Sequence, residues 1–213
     1  MFKKKDKRKI IGYYRPCDFL TMGNALFGII GIILAITGNS GYAVLCIIAS
    51  GICDAFDGIV ARKGNYDKTQ MSYGVELDSL ADVISFGVSP AIITLCMVGF
   101  NHWSTIFVCI FYAMAGLIRL AYFNTLDING LSNKNAFKGF PITTISLVYP
   151  LIYFVCYLFG FVYYDLIITL AMLFTGVSFI VPVQIKKLNT QGKGILSIIG
   201  ILMIIVYIIK SLI

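Results

Sequence analysis

Four aspartates, Asp54, Asp57, Asp78 and Asp82, stand in two apolar stretches of the chain, two in each. An ionised carboxylate inside a lipid-spanning helix costs about 3 kcal/mol on insertion scales, so each acid needs a partner that offsets the cost. Positions i, i+3 and i+4 share one face of a helix. Asp54, Asp57, Gly58 and Ala61 therefore form one acidic stripe edged by small residues, and Gly74, Asp78 and Asp82 form a second. Ligands that are all oxygen suit Mg²⁺, Mn²⁺ or Ca²⁺ rather than zinc. A cage of about −4 formal charge stays ionised only beside cations, and two divalent ions would neutralise it. Two such ions polarise phosphate oxygens and stabilise charge on the attacking and leaving oxygens of a phosphoryl transfer. Gly58, Ala61 and Gly74 are then small because a nucleotide or phosphate comes close to the helix backbones. Two other uses of the same acids are helix-to-helix hydrogen bonding and a cation or proton pathway.

The elements that position these acids must be membrane helices. Of 213 residues, 59% are hydrophobic and 13% charged, with a mean hydropathy of +0.88. A soluble domain has about a quarter of its residues charged, so soluble enzymes, nucleic-acid-binding domains and disordered chains are excluded. At about 20 apolar residues per span, the sequence predicts seven helices: 19–37, 42–62, 74–100, 103–124, 141–160, 162–183 and 194–212. The last is the shortest claim, because Lys210 lies at its far end and the segment could be re-entrant or interfacial. The organisation expected is a basic N-terminal segment over 1–18, a transmembrane core over 19–183 and an additional apolar segment over 194–213.

Charge sets the orientation. Lys3, Lys4, Lys5, Lys7, Arg8, Lys9 and Arg15 precede the first span, and Arg62, Lys63, Lys68, Lys134, Lys138, Lys186, Lys187 and Lys193 fall on the same side. The opposite loops, 38–41, 101–102 and 160–163, carry no lysine or arginine. The positive-inside rule places the N-terminus and the Arg62 loop in the cytoplasm. At 1.5 Å per residue, Asp57 and Asp54 lie roughly 8 to 12 Å from the cytoplasmic end of the second helix, and Asp78 and Asp82 roughly 6 and 12 Å into the third. The two pairs are level, so they converge on one site that opens to the cytoplasm. The basic stretch is read as a flank rather than a cleaved signal, since the run 19–37 lacks an A-x-A site and more spans follow.

The other reactive residue types read as structure. The six cysteines form no C-x-x-C pair and lie mostly in apolar runs. His102 is a loop residue on the far side of the membrane. No internal repeat of the transporter kind is present.

The string Asp54-Ala-Phe-Asp57-Gly58-Ile-Val-Ala61-Arg62, followed by Gly74-Val-Glu-Leu-Asp78-Ser-Leu-Ala-Asp82, resembles the D-x2-D-G-x2-A-R…G-x3-D-x3-D signature of the CDP-alcohol phosphatidyltransferases. The resemblance implies an all-α integral membrane protein, a single polytopic bundle with a six-helix catalytic core and usually a homodimer. It implies that a CDP-linked lipid yields CMP while its phosphatidyl group passes to an alcohol. By the family pattern Asp54, Asp57, Asp78 and Asp82 hold two Mg²⁺ or Mn²⁺ ions, Asp82 is also the general base, and Gly58, Ala61, Arg62 and Gly74 lie at the cytidine diphosphate. With no histidine near the cage, a carboxylate as base is also what the residues themselves require. The eleven residues between Arg62 and Gly74 slightly exceed the family spacing, which leaves a phosphate-binding hydroxyl ambiguous between Thr69 and Ser72.

Longer stretches resemble the phosphatidylserine synthase branch: Pro16-Cys17…Thr21-Met-Gly-Asn24…Gly28, the run Leu77 to Pro90, Arg119-Leu-Ala-Tyr-Phe-Asn124 and Gly139-Phe-Pro141-Ile-Thr143. That likeness implies L-serine as acceptor and CDP-diacylglycerol, or a CDP-archaeol lipid, as donor. Arg119 is deep enough in the fourth helix to grip a phosphate or the serine carboxylate, and shallow enough to snorkel instead. Asn124 and Lys138 flank the same loop and could line the serine entrance, while Thr21 and Asn24 are expected to face the nucleotide, with hydrogen bonding to a neighbouring helix as the other reading of Asn24. The acceptor could instead be glycerol phosphate or an inositol phosphate; both call for extra cations near the cage, where Arg62, Arg119 and the loop lysines are on offer, so serine is favoured mildly. A cation transporter built on the same aspartates predicts flux without any CDP-lipid.

Overall fold

A computed structural model of the chain describes residues 11–129, 136–138, 140–182, 184–186 and Ile205. Four long helical units come first: α1 (Asp18–Ile36), α2 (Ser40–Ala61), α3 (Lys68–Asp82) continued by a π-helical turn (Val83–Val88) into α4 (Ser89–Val98), and α5 (Trp103–Ile128). A short strand β1 (Ala136–Lys138) and a 3₁₀ turn (Ile142–Thr144) lead to α6 (Ile145–Phe159), α7 (Tyr164–Ile180) and β2 (Gln184–Lys186). Five of these units are long and apolar enough to cross a membrane, the third being the continuous run Lys68–Val98 of 31 residues.

Local chemistry accounts for the boundaries. The third helix begins six residues before the predicted position 74 because Asp67 and Gln70 form a capping box: Gln70 N donates to Asp67 Oδ1 at 2.8 Å, and Asp67 N donates to Gln70 Oε1 at 3.2 Å. The π turn coincides with a missing donor. Pro90 has no N–H for the carbonyl of Phe86, and the Tyr112 hydroxyl of α5 donates to that oxygen instead. The sixth predicted span, 162–183, is shorter than expected. α7 has 17 residues, about 26 Å at 1.5 Å per residue, and it ends at Ile180 because Val181 precedes Pro182 and takes an extended conformation. The predicted segment 194–212 lies outside the described residues apart from Ile205.

The bundle is built around α1. It packs chiefly on α2, with α3 and α4 along its other side, while α5 packs on α7 and α6 on α2. The buried apolar core runs through Val44 and Ile47 of α2, Phe86, Ile93, Tyr112, Tyr149, Ile168 and Met172. Glycines allow the closest approaches: a Cβ at Gly28 would stand 2.6 Å from Ser85 Oγ and 2.9 Å from Ser85 Cα. Two elements absent from the sequence reading are the strands. β1 and β2 pair antiparallel, Ala136 opposite Lys186 and Lys138 opposite Gln184, so the loop after α5 and the segment after α7 meet at one end of the bundle. Those are two of the segments that charge assigned to one side of the membrane.

Candidate active site

Three helices present matching stripes to one another. On α1 the buried positions are Asp18, Thr21, Asn24, Gly28, Gly31 and Ala35, at steps of 3 and 4. On α2 the same spacing runs through Ser50, Asp54 and Asp57, and on the third helix through Asp78, Asp82, Ser85 and Ser89. Such a step keeps every member on one face. The serine and asparagine groups fix the register of the three helices: Ser50 Oγ donates to the Asn24 main-chain oxygen at 3.0 Å, Ser85 Oγ to the same oxygen at 2.9 Å, and Ser89 Oγ to the Gly28 oxygen at 3.1 Å.

The register brings carboxylates together. Oxygens of Asp54, Asp78 and Asp82 all lie within 4.8 Å of one another. Asp78 Oδ1 is buried and makes no hydrogen bond among the described residues. A buried anionic oxygen without a donor, facing two further carboxylates, is stable only beside a cation, so the donor set fits a divalent metal with oxygen ligands. Asp57 is placed differently from its three companions. It is 7% exposed, and its Oδ2 accepts a hydrogen bond from Thr21 Oγ1 at 2.7 Å. The structure thus assembles three of the four expected acids into one cluster and shows the fourth tied to α1.

Thr21 and Asn24, the two polar positions singled out on α1, both hydrogen-bond to the acids. Thr21 holds Asp57, and Asn24 Nδ2 donates to Asp82 Oδ1 at 3.0 Å. Both are buried because α1 packs directly on the acidic faces of its neighbours. Gly58 keeps open space, since a Cβ there would meet nothing within 4 Å, whereas Ala61 is half-buried and Arg62 exposed at the end of α2. Thr69 and Ser72 are both exposed on the first turns of α3.

Gly74 lies against a side chain from the segment that precedes α1. The space a Cβ would take is filled by the guanidinium of Arg15. Arg15 donates from Nε and Nη2 to Asp18 Oδ1 at 3.0 and 2.8 Å, and its own N–H donates to Asp18 Oδ2 at 2.7 Å. The guanidinium lies 5.4 Å from the Tyr66 ring centroid. Burial alone would lower the Arg15 pKa, but the hydrogen-bonded Asp18 carboxylate outweighs it and raises it. A permanent cation therefore sits one helical turn from Asp78. Sequence reasoning counted Arg15 only as a loop charge and did not single out Asp18, although their i, i+3 spacing next to Pro16 was a legible signal.

On the other flank, Asn124 Nδ2 of α5 donates to Ser79 Oγ at 2.9 Å, beside Asp78. Arg119, 5% exposed, lies with its Cζ 4.4 Å from the Phe123 ring centroid, one turn further along α5. The side chain of Lys138 is outside the described residues. All six cysteines are free thiols, and burial pushes the Cys17 thiol up, in keeping with a packing role.

Residues 16–181 match the CDP-alcohol phosphatidyltransferase family. The chain is 33% identical over 188 residues to the archaetidylserine synthase of Methanothermobacter thermautotrophicus, a match that covers 88% of this chain and 76% of that protein. It is 35% identical over 132 residues to the CDP-diacylglycerol–serine O-phosphatidyltransferase of Helicobacter pylori, covering 62% of this chain and 54% of the relative. The enzyme of the same name from Bacillus subtilis is 34% identical over 130 residues, 61% of this chain and 69% of the relative. The match thus reaches about three quarters of the archaeal relative's length and about half of the Helicobacter one.

Proposed function

The chain belongs to the CDP-alcohol phosphatidyltransferase family, and on that premise we propose that it transfers the phosphatidyl group of CDP-diacylglycerol, or of a CDP-archaeol lipid, to L-serine. The products are the phosphatidylserine-type lipid and CMP. The observation that carries this reading is the convergence of Asp54, Asp78 and Asp82 from two antiparallel helices, with Asp78 Oδ1 lacking any donor among the described residues. The serine-specific relatives support the choice of acceptor.

Two Mg²⁺ or Mn²⁺ ions held by Asp54, Asp57, Asp78 and Asp82 would polarise the phosphate oxygens and ease deprotonation of the alcohol. The residues of the chain do the rest. Asp82 takes the proton of the serine hydroxyl as its oxygen attacks the phosphorus that carries the lipid. The bond from that phosphorus to the CMP oxygen breaks, and CMP leaves. Gly58 leaves room for the cytidine diphosphate beside α2, with Ala61 and Arg62 at the end of the same face. Arg15, held by Asp18 against Gly74, supplies positive charge where the diphosphate enters, by charge-assisted hydrogen bonding. Arg119 and Asn124 are the acceptor-side groups, the first for a carboxylate or phosphate and the second held on Ser79. The cation asymmetry of the loops supports a cytoplasmic N-terminus and a site at the cytoplasmic leaflet. We read the protein as a homodimer, as the family resemblance implies.

The test is CMP release by the purified protein with CDP-diacylglycerol or CDP-archaeol, Mn²⁺ or Mg²⁺, and a panel of L-serine, glycerol 3-phosphate and inositol 1-phosphate. Release with serine, abolished by a chelator and restored by the metal, is the expected result. Silence with every acceptor overturns the transferase reading, and release with a phosphate alcohol alone overturns the assignment of serine.

A further inference from the structure

We propose that Asn24 is a positioning residue for Asp82: its amide holds one carboxylate oxygen and leaves the other for the reacting groups. The proposal rests on the reaction assigned above and adds a residue to it. Asn24 is fully buried, and its Nδ2 lies 3.0 Å from Asp82 Oδ1. The opposite amide orientation would set a carbonyl against a carboxylate, so the amide donates. A neutral donor of this kind does not itself titrate, and its hydrogen bond fixes the plane of the carboxylate.

The asparagine is itself held in place. Its main-chain oxygen receives the hydroxyls of Ser50 from α2 and Ser85 from the π turn. Those two elements carry Asp54 and follow Asp82, so a single residue of α1 is tied to both helices of the acidic cluster. The π turn contributes directly, because Ser85 lies within its first turn, three residues after Asp82. Packing alone does not account for the choice of residue. Asn24 Oδ1 is buried without a hydrogen bond among the described residues, a cost of about 1–3 kcal/mol that an apolar side chain of similar size would avoid. The amide is retained for its donor end.

The experiment compares Asn24→Leu, which keeps the bulk and removes the N–H, with Asn24→Ala and with the Ser50→Ala/Ser85→Ala double variant. Kinetics of CMP release are normalised to the number of sites found by CDP titration. Both Asn24 variants are expected to lose at least about ten-fold in kcat, with KM for the CDP-lipid and the Mn²⁺ requirement within about two-fold of wild type. The serine double variant, which leaves the amide but loosens it, is expected to lose kcat by a smaller factor and carries the test where an Asn24 variant does not fold. A kcat restored by Asn24→Leu, or a raised KM for the donor at unchanged kcat, overturns the proposal. Infrared difference spectra of Mn²⁺ addition supply a readout independent of turnover. The Asp82 carboxylate band, identified by its loss in Asp82→Asn, is expected to move in Asn24→Leu. An unmoved band overturns the positioning role even if wild-type protein releases no CMP, which would separately overturn the assigned reaction.

Discussion

The two sides of the bundle are joined by different means. Where α1 meets α2 and the third helix, the interface is polar at nearly every turn: Thr21 to Asp57, Asn24 to Asp82, Ser50 and Ser85 to the Asn24 oxygen, Ser89 to the Gly28 oxygen. Where α5 meets α7, packing is mostly apolar, with Tyr112 against Phe179 at 5.5 Å between ring centroids and Gly176 against the Phe111 ring. One described polar pair crosses that second interface, Thr105 to Thr169 at 3.2 Å. In lipid, apolar contact alone drives helix association weakly and leaves register loose, whereas a side chain bonded to a neighbour's carbonyl fixes it. The side that must hold carboxylates within a few ångströms of one another is the side with the polar contacts. The interface between α5 and α7 is free to serve as scaffold, while elsewhere α5 carries Asn124, bonded to Ser79.

The largest expected effect breaks the chemistry while leaving the polar interface standing. Asp82→Asn keeps the size of the side chain and an acceptor for the Asn24 amide, yet it can neither take the proton nor balance a cation. Turnover is expected to fall by about 10²–10⁴-fold in CMP release, with CDP titration and thermal unfolding in detergent close to wild type. Activity near the wild-type rate would remove Asp82 from the role of base.

Next in size come two glycines, one on each side. In Gly28→Ala the new methyl would stand 2.9 Å from the Cα of Ser85, so backbone must move, and the π turn that follows Asp82 moves with it. A stability loss of about 1–3 kcal/mol is expected in chemical unfolding, together with a large drop in turnover. In Gly176→Ala the nearest atom is the edge of the Phe111 ring at 3.0 Å. The ring can yield by a few tenths of an ångström, and the Tyr112 Cα at 3.2 Å asks for a smaller backbone shift than in Gly28→Ala, so the loss is expected to be about 1 kcal/mol, with kcat preserved. Equal losses of turnover in the two variants would erase the distinction between the site-bearing side and the scaffold.

Much of this division was legible in the sequence. The apolar runs marked the helices, and the period of Asp54, Asp57, Asp78 and Asp82 placed the acids on facing stripes at one depth. The same period also runs through Thr21, Asn24 and Gly28 on α1 and through Ser85 and Ser89, but serines and glycines are frequent in lipid-spanning helices for packing alone. Nothing local says that such a serine bonds a carbonyl of a helix 61 residues away in sequence, as Ser85 and Ser89 do. The separation of Asp57 from the other acids was illegible for the same reason, since it depends on Thr21 arriving from α1. The pairing of β1 with β2 joins segments of no strong strand pattern, and it follows from the bundle bringing the ends of α5 and α7 side by side. Arg15 shows the opposite case. Its partner Asp18 is local and could have been read, but its contact with Gly74 is tertiary and could not.

The smallest expected effects sharpen the comparison most, because they remove one hydroxyl from each side. Thr21→Val deletes the donor to Asp57 and keeps the shape, leaving a buried carboxylate without that hydroxyl. Hydrogen bonds to charged groups contribute about 1.5–3 kcal/mol, so without added metal the variant is expected to unfold measurably earlier than wild type. If Asp57 also turns toward the metals when they bind, Mn²⁺ should recover part of the loss, because the carboxylate then has a cation in place of the hydroxyl. Thr105→Val removes half of a neutral pair between α5 and α7, where hydrogen bonds between membrane helices average about 0.6 kcal/mol. Adding Thr169→Val removes the orphaned partner as well, so the double variant is expected to return to within about 0.5 kcal/mol of wild type. Neither valine on that side should alter the Mn²⁺ dependence of stability. A Thr105→Val protein whose unfolding responds to Mn²⁺ differently from wild type would mean that the α5–α7 interface is coupled to the acidic cluster, and the two sides would then have to be treated as one cooperative unit.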